Sequence, residues 1–292
     1  MENSIMGDQF SDSFDQKAQT RRHLTTLEQT LRRLVTTLGP TLSSLLALLG
    51  VWWFLTSRGL VPPETLPSPG LVYYTAFTLL GQPYGPDTLL GHASITCFRV
   101  LAGFGLGVAC GLLFGILLKF LPRVHVLVDP LFSFLRPIPA FAFITLLLLT
   151  LGVGEGSKIA LLFIAVFPAM TIYTDAAMNA LPIELEESAR MLGSRGAGLF
   201  VHVRFPAALP DLLAGSRVLL AVSWTAMMGA ELVAAESGLG WMIWSALKHS
   251  RTDVVFVGVI MIAVIAALMD YCIVLGSEAL TGGWRAHVRG QW

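Results

Sequence analysis

The chain has 292 residues, with 54% hydrophobic and only 13% charged residues, 19 Lys and Arg against 19 Asp and Glu, and a formal net charge of zero. Its mean hydropathy is +0.70, and ordinary soluble domains carry about 25% charged residues, so this composition excludes a soluble globular protein and makes lipid the natural solvent. Zero net charge removes any bulk electrostatic case for nucleic acid binding, and three cysteines (Cys97, Cys110 and Cys272), odd in number and set in apolar stretches without a CxxC pair, exclude a disulfide framework.

In chain order, residues 1–20 are polar, include Asp8, Asp12 and Asp15, and have no apolar core, so they are not a cleavable signal peptide. They read as a disordered tail, followed over 21–37 by a surface helix carrying Arg21, Arg22, Arg32 and Arg33. Six continuously apolar segments follow, at 41–57, 91–118, 127–151, 158–180, 208–234 and 254–278. A bilayer asks for about 20 helical residues, so the first is short and the others suffice; unbroken apolarity favours helices over a barrel. The fold expected is therefore an all-α membrane protein of about six transmembrane helices, with residues 1–40 as a cytoplasmic N-terminal tail, 41–280 as the membrane domain and 281–292 as a cytoplasmic C-terminal tail.

Between the first two segments lies a loop rich in proline, where Ser68-Pro69 looks like the start of a short helix over Leu71–Leu80. An interfacial helix on the outer side and an irregular external loop both fit it. The second segment carries Gly103, Gly107, Gly111 and Gly115 four residues apart, which stacks bare backbone along one helix face and predicts close approach by another helix. Arg136-Pro137-Ile138-Pro139 interrupts the third. Two prolines remove backbone donors, and broken backbone at membrane depth is tolerated only against protein or a water-filled cavity. With the N-terminus inside, twelve Lys and Arg fall on the cytoplasmic side against four outside (Arg58, Lys158, Lys248 and Arg251), which places both termini and the loop at 181–207 in the cytoplasm.

That loop carries Pro182 at a helix start, then Glu184, Glu186 and Glu187 where the helix dipole favours negative charge, Arg190 four residues after Glu186, and Gly193 as a stop. A polar, basic stretch Ser194–His202 leads to Pro206 and Pro210 at the entry of the fifth segment. By physics alone it is either a docking element for a cytoplasmic partner or a well-capped loop with none.

The same loop resembles the signature of binding-protein-dependent ABC permeases: Glu-Ala-Ala, three residues, Gly, nine residues, Ile, one residue, Leu-Pro. Here Glu187-Ser188-Ala189 is followed after three residues by Gly193 and after nine more by Val203-Arg204-Phe205-Pro206, with Ser188, Val203 and Phe205 as the departures. The likeness covers roughly residues 60–285, through Arg136–Pro139, Gly152–Lys158, Gly215-Ser216-Arg217, Ala230-Glu231-Leu232 and Gly238-Leu239-Gly240, and points to the taurine, alkanesulfonate and nitrate branch. It implies a type I-like importer permease acting as a homodimer in the bacterial inner membrane. A coupling helix at 183–202 would dock on a separate ATPase, present in two copies, and a periplasmic or lipoprotein binding protein would deliver the cargo. ATP and Mg would belong to that ATPase: this chain has no GxxxxGK[ST] loop, and Gly152–Lys158 has the wrong spacing for one. Bicarbonate, a thiamine-precursor pyrimidine and an aromatic acid remain open as cargoes, and an uncoupled channel or secondary carrier remains open as a class.

Charges inside the spans should face the interior or a partner, because each costs about 2.5–3.5 kcal/mol at the bilayer centre. Arg99, Arg136, Arg217 and Glu231, with Trp224, are the candidate pathway residues; Asp175, Asp270 and Trp241 are further candidates, and internal salt bridges are the competing explanation. Scattered histidines (His92, His125, His202, His249 and His287) form no HExxH pattern, and no nucleophile–base pair is visible, so neither a metal centre nor an enzyme is expected.

Overall fold

The computed structural model describes residues 43–135 and 137–289, with side chains through Leu280. The expected N-terminal tail, the helix over 21–37 and Arg136 lie outside the described residues. The chain divides into two units, residues 1–69 and 70–292.

In the first unit, α1 (Ser43–Ser57) is 15 residues long, about 22 Å, and falls short of an apolar core about 30 Å thick. Its C-terminal part is tied locally: Trp52 Nε1 donates to the Pro67 carbonyl at 2.9 Å, and the Arg58 guanidinium sits 5.4 Å above the Phe54 ring.

In the second unit, α2 (Pro69–Gly81) forms where Ser68-Pro69 opens a helix, so this stretch is not an irregular loop. Val72, Thr75 and Leu79 share its buried face, while Tyr73, Tyr74 and Phe77 are exposed. Thr75 donates to Asp253 at 2.8 Å, and Asp253 accepts two bonds from Arg251, whose pKa the bonded carboxylate raises.

Four helical stretches are long and apolar enough to cross a membrane: α3 (Leu89–Phe120), α6 (Glu155–Asn179), the run Gly196–Ala234, and Thr252–Leu280 of α11 (Thr252–Arg289). α4 (Pro122–Leu135), a 3-10 turn at Ala140–Phe143 and α5 (Ile144–Leu151) are bent by 91° and make a fifth span if taken as one. The described spans thus number four or five against six apolar segments, because the first segment is too short and the third is broken at its prolines.

α3 and α6 run parallel, and the glycine stripe is their seam. A Cβ on Gly107 would lie 2.6 Å from Val166 Cβ, on Gly111 2.7 Å from Met170 Cβ, and on Gly115 2.6 Å from Thr174 Cβ; Gly103 meets Leu162 in the same way. The α6 partners are themselves four apart, so two helix faces mesh turn by turn. α9 (Phe205–Ala234) packs against both, with Val100, Leu162, Leu220, Trp224 and Met227 in one buried cluster and Val166, Met170, Ala177, Ala208 and Leu212 in another. α10 (Leu239–Lys248), a short helix after Gly238, packs beside α9 and α11. Among the described residues there is no strand, only one isolated bridge between Tyr84 and Asp87.

Candidate functional site

The loop at 181–207 begins two residues after the end of α6. α7 (Ile183–Met191) carries Glu184 and Glu186 in its first turn and Arg190 in its last. Gly193, at φ +91°, donates to the Arg190 carbonyl at 3.0 Å, and Ser194 donates to the Ala189 carbonyl at 2.9 Å. This crossed pair is a Schellman stop, which a residue with positive φ makes possible. Ser188 Oγ returns to the Glu184 carbonyl at 2.7 Å.

One expectation needs correction here. The helix expected over 183–202 ends at Met191. The polar stretch Ser194–His202 does not continue that helix but opens a second one: α8 (Gly196–Leu199), a π turn (Phe200–Arg204) and α9 (Phe205–Ala234) are continuous. Pro206 and Pro210 cannot donate to the preceding turns, and a wider turn just ahead of them absorbs the lost ladder bond. The run of 39 residues is about 58 Å long, well beyond the apolar core, so part of it stands clear of the hydrocarbon.

Within the loop, Glu186 is gripped by Arg204 through Nε and Nη2, whereas Arg190, the expected partner, lies at 3.9 Å. Arg204 therefore fastens α7 to the leading end of α9. Ala189 is buried; Phe205 joins the α6–α9 core, with its ring 6.3 Å from that of Phe200. Val203 and Pro206 are half-buried, while Glu187, Ser188 and the apolar Ile183, Met191 and Leu192 are exposed. The signature positions thus divide: Ala189, Val203, Phe205 and Pro206 anchor the loop, and Glu187 and Ser188 face out beside uncovered apolar side chains.

A second constellation lies at the N-terminal ends of α3 and α6. Arg99 is 2% exposed at its side chain and Glu231 is 0% exposed. Nη1 of Arg99 donates to Glu231 Oε1 at 2.6 Å and to the Ser237 carbonyl at 2.8 Å; Nε and Nη2 donate to the two oxygens of Glu155 at 2.6 and 2.7 Å. Glu231 also accepts from Thr96 Oγ1 at 2.9 Å and from the Gly240 amide at 2.8 Å. Thr96 in turn accepts from the Leu239 amide, and His92 Nδ1 accepts from the Gly238 amide at 3.0 Å, which leaves Nε2 as the donor to the Tyr84 carbonyl at 2.9 Å. Burying ions is tolerable only with partners this complete.

Residues 107–276 match the family described as "Binding-protein-dependent transport system inner membrane component". The chain belongs to this family of ABC-transporter permeases. It is 35% identical over 234 residues to the taurine transport system permease protein TauC of Escherichia coli (strain K12), covering 80% of this chain and 84% of TauC. It is 30% identical to the nitrate import permease protein NrtB of Synechocystis sp. (strain ATCC 27184 / PCC 6803 / Kazusa), covering 76% and 82%. A chain of the MetNI methionine ABC transporter, solved in inward-facing conformations, superposes with a TM-score of 0.53 at 18% identity, covering 71% of this chain and 98% of that one, and so shares the fold. The permease is a transport protein of the membrane, not an enzyme.

In this permease the remaining pathway candidates are dispersed. Arg217 pairs with Asp270 through two bonds of 2.7 Å on a partly exposed face of α9 and α11. Trp224 is buried in the core with its indole N–H facing no acceptor. Trp241 stacks on His92 at 5.4 Å. Asp175 takes Lys119 at 2.6 Å and His125 at 3.3 Å, joining the C-terminal ends of α3 and α6 to α4. Beside the proline break lies a cavity of about 470 Å³, with Leu135, Ile138, Pro139, Phe143, Pro168, Tyr173 and Val222 among its lining; among the described residues, none in that lining is charged. Sequence reasoning missed Glu155, Lys158, Thr96 and Arg204 as members of these networks; only Gly238-Leu239-Gly240, whose bare backbone lets amides approach Glu231, signalled the contact in advance.

Proposed function

We propose that this permease forms the membrane pathway of an ATP-driven importer for a small oxyanion, an organosulfonate or nitrate. Two copies make the pathway, with both termini in the cytoplasm, as the lysine and arginine distribution favours. Each copy presents the loop at 181–207 to a separate cytoplasmic ATPase, one for each permease copy, which holds ATP and Mg. An external binding protein brings the cargo. ATP binding draws the ATPases together, moves both loops and switches the access of the pathway, a two-state element biased from a distant site.

The observation that carries the reading is α7: a short helix with its own stop, fastened by Glu186–Arg204 and the buried Ala189, that leaves Ile183, Met191 and Leu192 uncovered beside Glu187. A stiff, anchored element with an exposed apolar edge is suited to be gripped by a partner. The names of TauC, of NrtB, and of SsuC from Bacillus subtilis (strain 168), which refers to aliphatic sulfonates, favour the oxyanion cargo.

The test is Gly193→Val. Nothing lies within 4 Å of a Cβ there, so the change acts through the positive φ alone, with strain of about 1–3 kcal/mol. Membrane insertion should be normal and ATP-dependent uptake of taurine or nitrate into proteoliposomes with the whole complex should fall at least tenfold. Uptake at the wild-type rate would overturn the coupling role of this loop.

A further inference from the structure

The guanidinium of Arg99 has two kinds of partner. Its Nη1 side is closed, since Glu231 is fully buried and is also held by Thr96 and the Gly240 amide. Its other edge, Nε and Nη2, presents a fork, and the Glu155 carboxylate fills that fork oxygen for oxygen. Lys158, 4% exposed at its side chain, converges on the same carboxylate with Nζ 3.6 Å from Oε1 and donates to the Gly154 carbonyl at 3.2 Å. Glu155 differs from everything it touches: its side chain is 49% exposed. It is the first residue of α6, preceded by Gly152 at φ +78° and Gly154 and followed by Gly156, and a Cβ on any of these glycines would meet nothing within 4 Å. The turn itself is tied, since Ser157 and Lys158 both donate to the Gly154 carbonyl, but the half-exposed Glu155 side chain has solvent to turn into while the two cations beneath it stay buried.

We propose that Glu155 is a removable occupant of an oxyanion site built by Arg99 and Lys158, and that a sulfonate or nitrate takes its place when the Glu155 side chain turns out into solvent. With Glu155 in place, two cations face two carboxylates and the cluster is neutral. Without it, Arg99 and Lys158 outweigh Glu231 by one positive charge in a buried setting, where an unpaired ion is strongly unfavourable and an arriving anion is correspondingly favoured. The planar fork of arginine matches any ligand that offers two oxygens at carboxylate spacing, which sulfonate and nitrate both do. Glu155 thus keeps the site shut in the absence of cargo without leaving a bare charge in the protein. The inference rests on the oxyanion reading above.

The test uses the assembled permease–ATPase complex in nanodiscs and titration calorimetry with methanesulfonate, with uncharged dimethyl sulfone as the control. Glu155→Gln should bind methanesulfonate at least tenfold more tightly than the wild type, and Glu155→Gln/Lys158→Met should lose most of that gain. Equal affinity in Glu155→Gln and the wild type, or a gain that persists without Lys158, would overturn the proposal. Failure of both Glu155→Gln and Glu155→Ala to assemble would overturn it too, because an occupant that leaves during transport cannot be essential to the fold. Uptake of taurine and nitrate by the wild-type complex with its binding protein is read separately. Uptake without the affinity gain strikes only the Glu155 site; no uptake of either anion strikes the cargo reading.

Discussion

Adding a methyl group to Gly107 should separate α3 from α6, and the geometry sets both the size of the effect and its control. A Cβ there would sit 2.6 Å from Val166 Cβ and 2.8 Å from Val166 Cγ1. Carbon atoms rest about 3.5–4.0 Å apart, so the helices must part by about 1 Å. Overpacking of this kind costs about 1–3 kcal/mol, against which the better helix propensity of alanine returns up to about 1 kcal/mol. Gly105 lies two residues away on the same helix, and a Cβ there would meet nothing within 4 Å. Gly105→Ala should therefore leave the melting temperature of the purified permease unchanged or raised, while Gly107→Ala lowers it. Val166→Ala should fail to rescue Gly107→Ala, since the nearest clash is with the Cβ that alanine keeps. Thermal unfolding followed by size-exclusion chromatography measures all four proteins. Equal melting temperatures for the two glycine variants would refute the argument that this stripe is a seam.

Arg204→Ala should destabilise the loop by about 1 kcal/mol after allowance for its partial exposure, and Arg190→Ala should have almost no effect; limited proteolysis at residues 191–196 separates the two. Glu231→Ala should cost about 3–5 kcal/mol, enough to abolish recovery of folded permease, because it leaves Arg99 half-paired and the Gly240 amide without an acceptor; normal yield and melting would contradict the buried network. Trp224→Phe should be close to neutral in melting temperature, whereas Trp224→Ala should cost about 3–5 kcal/mol, because the buried indole N–H has no acceptor to lose and only the ring packs the core.

The membrane class, the glycine seam, the proline break and the Gly193 stop were legible in the sequence because each is decided within a few residues. Four glycines at intervals of four define a helix face whatever faces them, and a glycine after Glu186–Arg190 ends a helix by its own backbone freedom. What escaped was set by pairings across the fold. Glu186 has a candidate partner four residues on, yet Arg204, eighteen residues away, is the one that grips it, because the chain turns after Met191 and the separate helical run from Gly196 brings Arg204 back onto α7. Arg99 and Glu231 stood out singly as intramembrane charges, but 132 residues separate them. Glu155 escaped because it lies at the mouth of a glycine-rich turn that resembles a family stretch, and the likeness gave it no task of its own.

The paired charges bear on how the proposed oxyanion cargo would cross this protein. Arg99, Lys158 and Arg217 each have a carboxylate within 4 Å. Among the described residues, none lining the cavity at the proline break is charged. A standing unpaired arginine would bind an oxyanion tightly in a low-dielectric setting, and a pathway that binds tightly releases slowly. Neutralised cations avoid that trap and also reduce the penalty for placing charge in lipid. Attraction exposed only for part of the cycle suits such a pathway. A half-exposed carboxylate on a glycine-flanked helix end, over two buried cations, is the place in the described structure where such a transient charge can arise without unpairing the core.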